Sequence, residues 1–452
     1  MKILKSITII IFAATIIFPL IFFNFKPNSV SEIDNRLLEE NPFREGAEGD
    51  LTRRIENYIG DRIGFREEMI LAYNYLNDKL FGKMVHPAYS YGKDGYIFGS
   101  GMTAEGEFSD YHIVFADMVK ELQTYCEDRG VPFLFVFNPA KPAILTEYIG
   151  EGIAYNRDWV DMFFAELDKR GINYLDNTVT LNEANDDGIV VYNQKYDANH
   201  WNDTGAFYGT RAILEKLSER LPNVYINELS DFKIGEETMY TLPASNFPIN
   251  EKVPKYELIC NYTNNTSLYS SELELHPSYR TVGSFVNEER KSEGAPTALF
   301  FQGSYMNGFG YKYLINAFSE YNFIHDYQNI TNLPYYFNIY KPDCVVFEVA
   351  EYTFHELYFE LQRMKSIDFN KPISDFSDDK LEYLKAESLS LDVTVGKTLT
   401  TVKWSTDSAY SNVWLVASGE YDMKKTESGY IATLPSSVYK EYSETLRIVI
   451  NK

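Results

Sequence analysis

Asp197 and His200, three positions apart in Asp197-Ala198-Asn199-His200-Trp201, are the pair in this chain best placed to move a proton. At that spacing the carboxylate reaches back to the imidazole, fixes its tautomer and leaves the other ring nitrogen free to take a proton from a nucleophile. The matching nucleophile is Ser304 in Gly303-Ser304-Tyr305. It follows the apolar run Thr297-Ala298-Leu299-Phe300-Phe301, so it stands where a strand ends and the chain turns towards a helix. Acyl-transfer serines are commonly presented from such an elbow. The chain has six histidines, and none of His86, His112, His276, His325 and His355 joins a carboxylate at that spacing to a following helix start. His325 has Asp326 beside it, but adjacent side chains point apart. The blander alternative is a helix-capping Asp and an ordinary Gly-Ser turn.

Four more stretches carry a likeness. They are Ser31-Glu32-Ile33-Asp34-Asn35-Arg36-Leu37-Leu38, Glu56-Asn57-Tyr58-Ile59-Gly60-Asp61-Arg62-Ile63-Gly64-Phe65-Arg66, Gly92-Lys93-Asp94-Gly95-Tyr96-Ile97-Phe98 and Phe137-Asn138-Pro139-Ala140-Lys141. In this order, with the Asp/His/Trp and Gly-Ser-Tyr segments, they resemble the SGNH-hydrolase-like proteins of the alginate O-acetylation group, often labelled by a DHHW motif. Three departures stand out. Asp34 replaces a Glu, and Ala198 and Asn199 separate Asp from His where many relatives have one residue, a spacing found in ordinary SGNH esterases. Gly303 precedes the serine where many SGNH serines are preceded differently, which leaves the oxyanion donors open. The resemblance implies O-acetylation of an exported polysaccharide through an acyl-serine. It also implies acetyl taken from a membrane-bound O-acyltransferase partner; separately, export disfavours chemistry that needs a free nucleotide or coenzyme A pool, and no cofactor is expected.

At 452 residues, 45% of them hydrophobic and 16% aromatic, the chain can bury a core in two or three domains. A net charge of −23 argues against nucleic acid and against anionic lipid surfaces, which need basic patches. Lys2 and Lys5 precede an uncharged run from about Ile7 to Phe23, and large residues follow it rather than a small-x-small cleavage site. That pattern predicts an uncleaved signal anchor over 1–26 with the body outside the cell membrane; a cleaved signal peptide is the competing reading. Cys126, Cys260 and Cys344 are few and far apart, so neither a disulfide framework nor a metal-ligand pair is expected. No His-Glu-x-x-His or comparable cluster suggests a metal.

Residues 27–87 read as a helical stem, with Ile55, Ile59, Ile63, Ile70, Tyr73 and Leu76 at helical spacing. From 88 to 379 helix and strand alternate. Tyr111–Arg129 is helical, Val131–Phe137 is a continuous apolar strand, and Asn156–Arg170 leads to Ile172–Leu175. Ile189–Tyr192 reads as a strand before the Asp/His motif, with Asp203 or Thr204 capping the next helix. The expectation is an α/β, SGNH-like doubly wound parallel sheet with reactive groups at the carboxyl ends of strands. Residues 222–296 interrupt it as a polar, aromatic insertion suited to a substrate wall. Residues 380–452, rich in Val, Thr, Ser and Tyr, predict a C-terminal β-sandwich.

In this scheme Ser304 attacks, His200 is the base and Asp197 orients it. Trp201, Tyr305, Asn138 and Lys141 are candidates to line the substrate pocket. For Trp201 packing under the histidine, and for Asn138 and Lys141 holding a loop, are the alternatives. Two other functions fit the same residues: an extracellular carbohydrate esterase, or a non-catalytic glycan-binding or assembly protein.

Overall fold

The computed structural model describes all residues but 1, 27–28, 32–35, 45–49, 82–83, 85–88, 100–105, 244–246 and 452, so Asp34 and His86 lie outside the described residues. The N-terminal apolar run is a helix, α1 (Lys2–Ile21), with Ile9, Ile10, Ile11, Phe12, Ile16 and Ile17 exposed. Among the described residues no helix is long and apolar enough to cross a membrane. The stem is α2 (Leu51–Arg62) and α3 (Arg66–Phe81). The Asp61–Arg66 stretch is the joint that receives the end of α1. Arg62, only 2% exposed, donates to the carbonyls of Glu39, Asn24 and Lys26. Gly64 has no room for a side chain, since a Cβ there would lie 2.6 Å from that of Phe22. Phe65 stacks on Phe18 with ring centroids 5.3 Å apart.

A small hairpin, β1 (Tyr89–Tyr91) and β2 (Ile97–Gly99), turns at Lys93-Asp94-Gly95 and opens the α/β domain. Then follow α4 (Asp110–Glu127), β3 (Phe133–Asn138), α5 (Asp158–Lys169), β4 (Tyr174–Asp176), α6 (Asn177–Asp186) and α7 (Asp203–Ser218). The inserted segment brings β5 (Phe232–Thr241), β6 (Pro248–Leu258), β7 (Thr263–Asn264) and β8 (Val282–Val286). The domain closes with β9 (Thr297–Gln302), α8 (Tyr311–Ile315), β10 (Glu320–His325), α9 (Leu333–Tyr340) and β11 (Cys344–Ala350).

One seven-stranded sheet runs β4-β3-β11-β9-β10-β8-β7. Neighbours from β4 to β10 are parallel, and β8 and β7 extend the sheet antiparallel. The unbroken apolar run of β3 has the meaning expected of it: every residue from Phe133 to Asn138 is buried because helices cover both faces. Phe133, Phe135 and Phe137 pack with Phe115 and Val119 of α4 and Phe163 and Leu167 of α5. Leu134 and Val136 face the other way, towards Phe207, Ile213 and Leu214 of α7. Truncating one such ring, as in Phe135→Ala, costs about 3–5 kcal/mol.

The C-terminal region comprises β12 (Leu381–Lys385), β13 (Leu391–Val395), β14 (Leu399–Ser405), β15 (Val413–Val416), β16 (Glu420–Asp422), β17 (Lys424–Thr426), β18 (Gly429–Pro435) and β19 (Arg447–Asn451). They form sheets β12-β19-β15-β16 and β13-β14-β18-β17 around a core that includes Val402, Trp404, Leu415, Leu434 and Ile448. This lobe is fastened to the α/β domain. Arg129 meets both Asp422 carboxylate oxygens at 3.1 Å, and Tyr125 donates to the same group. Glu272 accepts the amides of Lys397, Thr398 and Leu399.

Three expectations need correction. Ile189–Tyr192 is a loop, not a strand, with Val191 and Tyr192 buried as if in a strand but with no partner strand among the described residues. The 222–296 segment is not wholly an insertion: β5 and β6 form a separate hairpin, while β7 and β8 complete the main sheet. Asn202, not Asp203 or Thr204, caps α7 by accepting from the Gly205 amide.

Candidate active site

The carboxyl ends of β9 and β11 and the loop before α7 meet at one point. His200 Nε2 lies 2.7 Å from Ser304 Oγ, although the two are 104 positions apart. On its other side Nδ1 lies 2.8 and 2.9 Å from the two oxygens of Asp197. Asp197 Oδ1 also accepts the backbone amides of Asn199 and His200, at 3.1 and 3.0 Å. The aspartate reaches these donors through a left-handed backbone (φ 54°), a conformation in which Asp and Asn are over-represented among non-glycine residues. Burial pushes its carboxyl up, but the His200 charge and these hydrogen bonds hold it below the ordinary aspartate value. It is therefore ionised, as an orienting carboxylate must be.

Tyr352, in the turn after β11, is the site residue that the sequence did not give up. Its hydroxyl lies 2.8 Å from Ser304 Oγ and 3.0 Å from His200 Nε2, closing a triangle with the dyad. Burial raises its phenol well above the ordinary range, so it remains protonated and keeps a hydrogen to donate. The one signal for it was its position just past an apolar strand of a parallel sheet, where such folds place ligands.

Ser304 and Tyr305 open the helical segment that passes through the π-turn Met306–Gly310 into α8. As the first amides of that segment they lack intrahelical acceptors. The Gly303 amide is committed elsewhere, to Glu348 Oε2 at 2.7 Å. Asn177 donates to Asn138, and Asn138 donates to Glu348 Oε1, so a buried chain holds the serine turn from below. Glu348 is fully buried, and burial together with Asp326 pushes its carboxyl up to about 8.

The four proposed pocket residues are all at 0% exposure, so none lines an open pocket as expected. Trp201 donates from Nε1 to the Tyr305 carbonyl and packs on α7, where a Cβ at Gly209 would lie 2.3 Å from its ring. The Tyr305 hydroxyl lies 2.7 and 2.8 Å from the carbonyls of Pro139 and Asn199, which share its one proton. Asn138 belongs to the chain beneath the serine. Lys141 donates to the carbonyls of Ile97 and Gln194, and burial lowers its ammonium to about 7 despite the opposing pull of Asp197 and Glu251. All four brace backbone that carries the dyad.

A cavity of about 1100 Å³ lies away from this chemistry, between the α9 region and the C-terminal sandwich; Tyr335, Tyr410, Asn412 and Lys424 are among its walls. None of Asp197, His200, Ser304 and Tyr352 lines it. Among the described residues no group of three or more His, Cys, Asp or Glu could hold a metal ion. Cys126, Cys260 and Cys344 are free thiols, the first and last buried.

Residues 90–238 match the family model described as the SGNH hydrolase-like domain of the acetyltransferase AlgX. This bears out the likeness carried by the motifs, and the α/β fold with its several sheets and β-rich C-terminal region is SGNH-like. Among solved structures, the chain is similar to PatB1 of Bacillus cereus with a sulfonyl adduct (14% identity, 59% of this chain, 94% of that one, TM-score 0.43). It is also similar to the O-acetyltransferase domain of Pseudomonas putida AlgJ (14%, 65%, 97%, TM-score 0.41). A third is a DHHW family protein from Eubacterium siraeum (16%, 63%, 96%, TM-score 0.42). No curated protein matches the chain.

Proposed function

We propose that this protein is a serine O-acetyltransferase that moves an acetyl group onto a hydroxyl of an exported polysaccharide. The observation that carries this reading is the unbroken line Asp197–His200–Ser304, with both contacts at hydrogen-bond distance. The match of residues 90–238 to an SGNH hydrolase-like acetyltransferase domain supports it.

Ser304 Oγ attacks the carbonyl carbon of an acetyl ester while its proton passes to His200 Nε2. Asp197, bonded to Nδ1, stabilises the resulting imidazolium, a role worth about 10⁴ in rate in serine triads. The Ser304 and Tyr305 amides face the developing oxyanion. When the ester C–O bond breaks, His200 returns its proton to the leaving alkoxide and an acetyl-serine remains. A sugar hydroxyl then gives its proton to His200 and attacks the acetyl carbon. Collapse releases the acetylated sugar, and Ser304 recovers the proton. The Tyr352 hydroxyl, bonded to both partners, keeps Ser304 aimed at Nε2 between the two half-reactions.

The acetyl donor in this scheme is a membrane-bound O-acyltransferase. Membrane attachment of this chain through residues 1–26, with the body on the outer side, is part of the same proposal; the exposed isoleucines of α1 support it.

The test is intact-protein mass spectrometry after incubation with an aryl acetate. One acetyl should be gained, be lost on adding a saccharide acceptor, and never appear in Ser304→Ala. Rapid discharge to water without any acceptor would favour a carbohydrate esterase. No labelling at all would leave a glycan-binding or assembly role.

A further inference from the structure

We propose that Glu251, carried on the inserted β5–β6 hairpin, is a positioning residue that holds Asp197 in the turn from which it addresses His200. This rests on the acyl-transfer reading of the site. Glu251 stands in β6, opposite Met239 of β5, and belongs to none of the strands of the main sheet. Its carboxylate reaches into the loop that leads to the dyad. Oε1 accepts the Gln194 amide at 2.7 Å, and Oε2 accepts the amides of Lys195, at 2.9 Å, and Tyr196.

The next residue is Asp197, whose left-handed backbone requires its surroundings to impose it. Two carboxylates thus share the donors of one loop. Glu251 takes the amides of residues 194 to 196, and Asp197 takes those of 199 and 200. The loop is also gripped from the opposite side, by Lys141 and the Ile97 amide on the Gln194 carbonyl. Without Glu251, three successive amides lose their acceptor, and on the hairpin side the packing of Leu242 and Phe247 near Ala198 is left to hold φ at Asp197 without hydrogen bonds from Glu251.

The hairpin is seated firmly enough to act as a clamp. Phe232 and Tyr256 at its base pack in the main core, and Leu242 and Phe247 near its tip pack with Ile97 and Ala198. Ala198 is the residue that follows Asp197, so the hairpin holds the catalytic loop by packing as well as by charge.

The experiment uses the full chain. Glu251→Gln is the informative variant, because it keeps the volume but turns an amide NH2 towards backbone N–H donors. Glu251→Gln and Glu251→Ala should each lower kcat for an aryl acetate by about 10²-fold with KM nearly unchanged, as a misplacement near 1 Å does. Glu251→Asp should recover part of the loss. The hydrogen-bonded Nδ1 proton of His200, assigned by its disappearance in His200→Gln, should move or broaden in Glu251→Gln while the melting temperature stays near that of the wild type. That signal reads the Asp197–His200 contact whether or not the protein turns over esters, so failure of the acyl-transfer reading is distinguishable from failure of this one. An unchanged signal with unchanged kcat, or a loss of activity that simply tracks unfolding, would overturn it.

Discussion

The molecule holds two Asp–His pairs near Ser304, and only one of them is built to work. In Asp197/His200 the carboxylate bonds the ring and two of the loop's own amides. In His325/Asp326 the Nδ1–Oδ1 separation is 3.1 Å, yet neither that nitrogen nor either Asp326 oxygen has a hydrogen-bond partner of acceptable geometry among the described residues. Both aspartates are buried, but their carboxyls shift in opposite directions, Asp197 downward and Asp326 upward. Burial alone therefore does not set the charge. The supply of donors does, and a spacing of three lets the chain fold its own amides and ring onto the carboxylate. The adjacent pair, expected to point apart, does approach to 3.1 Å but without that alignment. Asp326 instead lies beside Gly303 with Glu348, both within 3.7 Å of where a Gly303 Cβ would stand. There burial pushes both carboxyls up, Glu348 to about 8, and the two raise each other's cost of ionising beside the serine turn.

The largest effects should separate the two pairs outright. Ser304→Ala should abolish acetyl-enzyme formation, His200→Ala should follow closely, and Asp197→Ala should lower kcat by about 10²–10⁴-fold, with double variants far from additive. His325→Ala and Asp326→Asn should leave acylation within about tenfold of the wild type. Equal damage from either pair, measured with the same aryl acetate, would erase the distinction. Tyr352→Phe comes next: losing the hydroxyl between Ser304 and His200 should cost about 10–10²-fold in kcat with KM little changed.

The pH dependence of stability should carry opposite signs at the two places. Glu348 has a folded value above its ordinary 4.5, so its contribution is full below pH 4.5 and is lost as the pH rises through about 8. Asp197 has a folded value below its ordinary 3.8, so its contribution is present above pH 3.8 and is lost as the pH falls through the folded value. Melting curves between about pH 5 and pH 6.5, below the range in which Lys141 gives up its proton, should therefore decline in the wild type. In Glu348→Gln they should start lower, because one acceptor becomes a donor, but stay flat. A wild-type curve as flat as the variant's would remove the claim for Glu348. The smallest effect belongs to Trp201→Phe. It loses one bond to the Tyr305 carbonyl, worth about 1 kcal/mol, and should lower the melting temperature without changing the KM for a saccharide acceptor.

Much of the α/β body was legible in the sequence because its signals are local. The apolar runs at Phe133–Phe137 and Thr297–Phe301 became central strands, and Gly130 and Gly171 ended the helices before their strands with positive φ. Asp197 and His200 could be paired on paper because three residues of chain suffice to bring them together. Ile189–Tyr192 misled because burial beside a core loop leaves the same apolar imprint as a strand. The pocket residues misled for a related cause: a polar residue at a strand's end reads alike whether it faces a cleft or braces a backbone carbonyl from inside.

The sequence by itself determined the Asp197–His200 pair, the strand-end turn at Ser304 and the alternation of helix and strand, since each depends on contacts or periodicities within a few residues. Tertiary structure alone decided that Ser304 meets His200 across 104 positions, that Tyr352 joins them, and that Asn138 and Lys141 are buried braces. It also set the strand order β4-β3-β11-β9-β10 and brought Glu251, 54 positions after Asp197, back onto the catalytic loop. The physical reason is the same throughout. Hydrogen-bond donors and desolvation act over a few ångströms in space, and which distant residues share those ångströms is fixed only when the whole core packs.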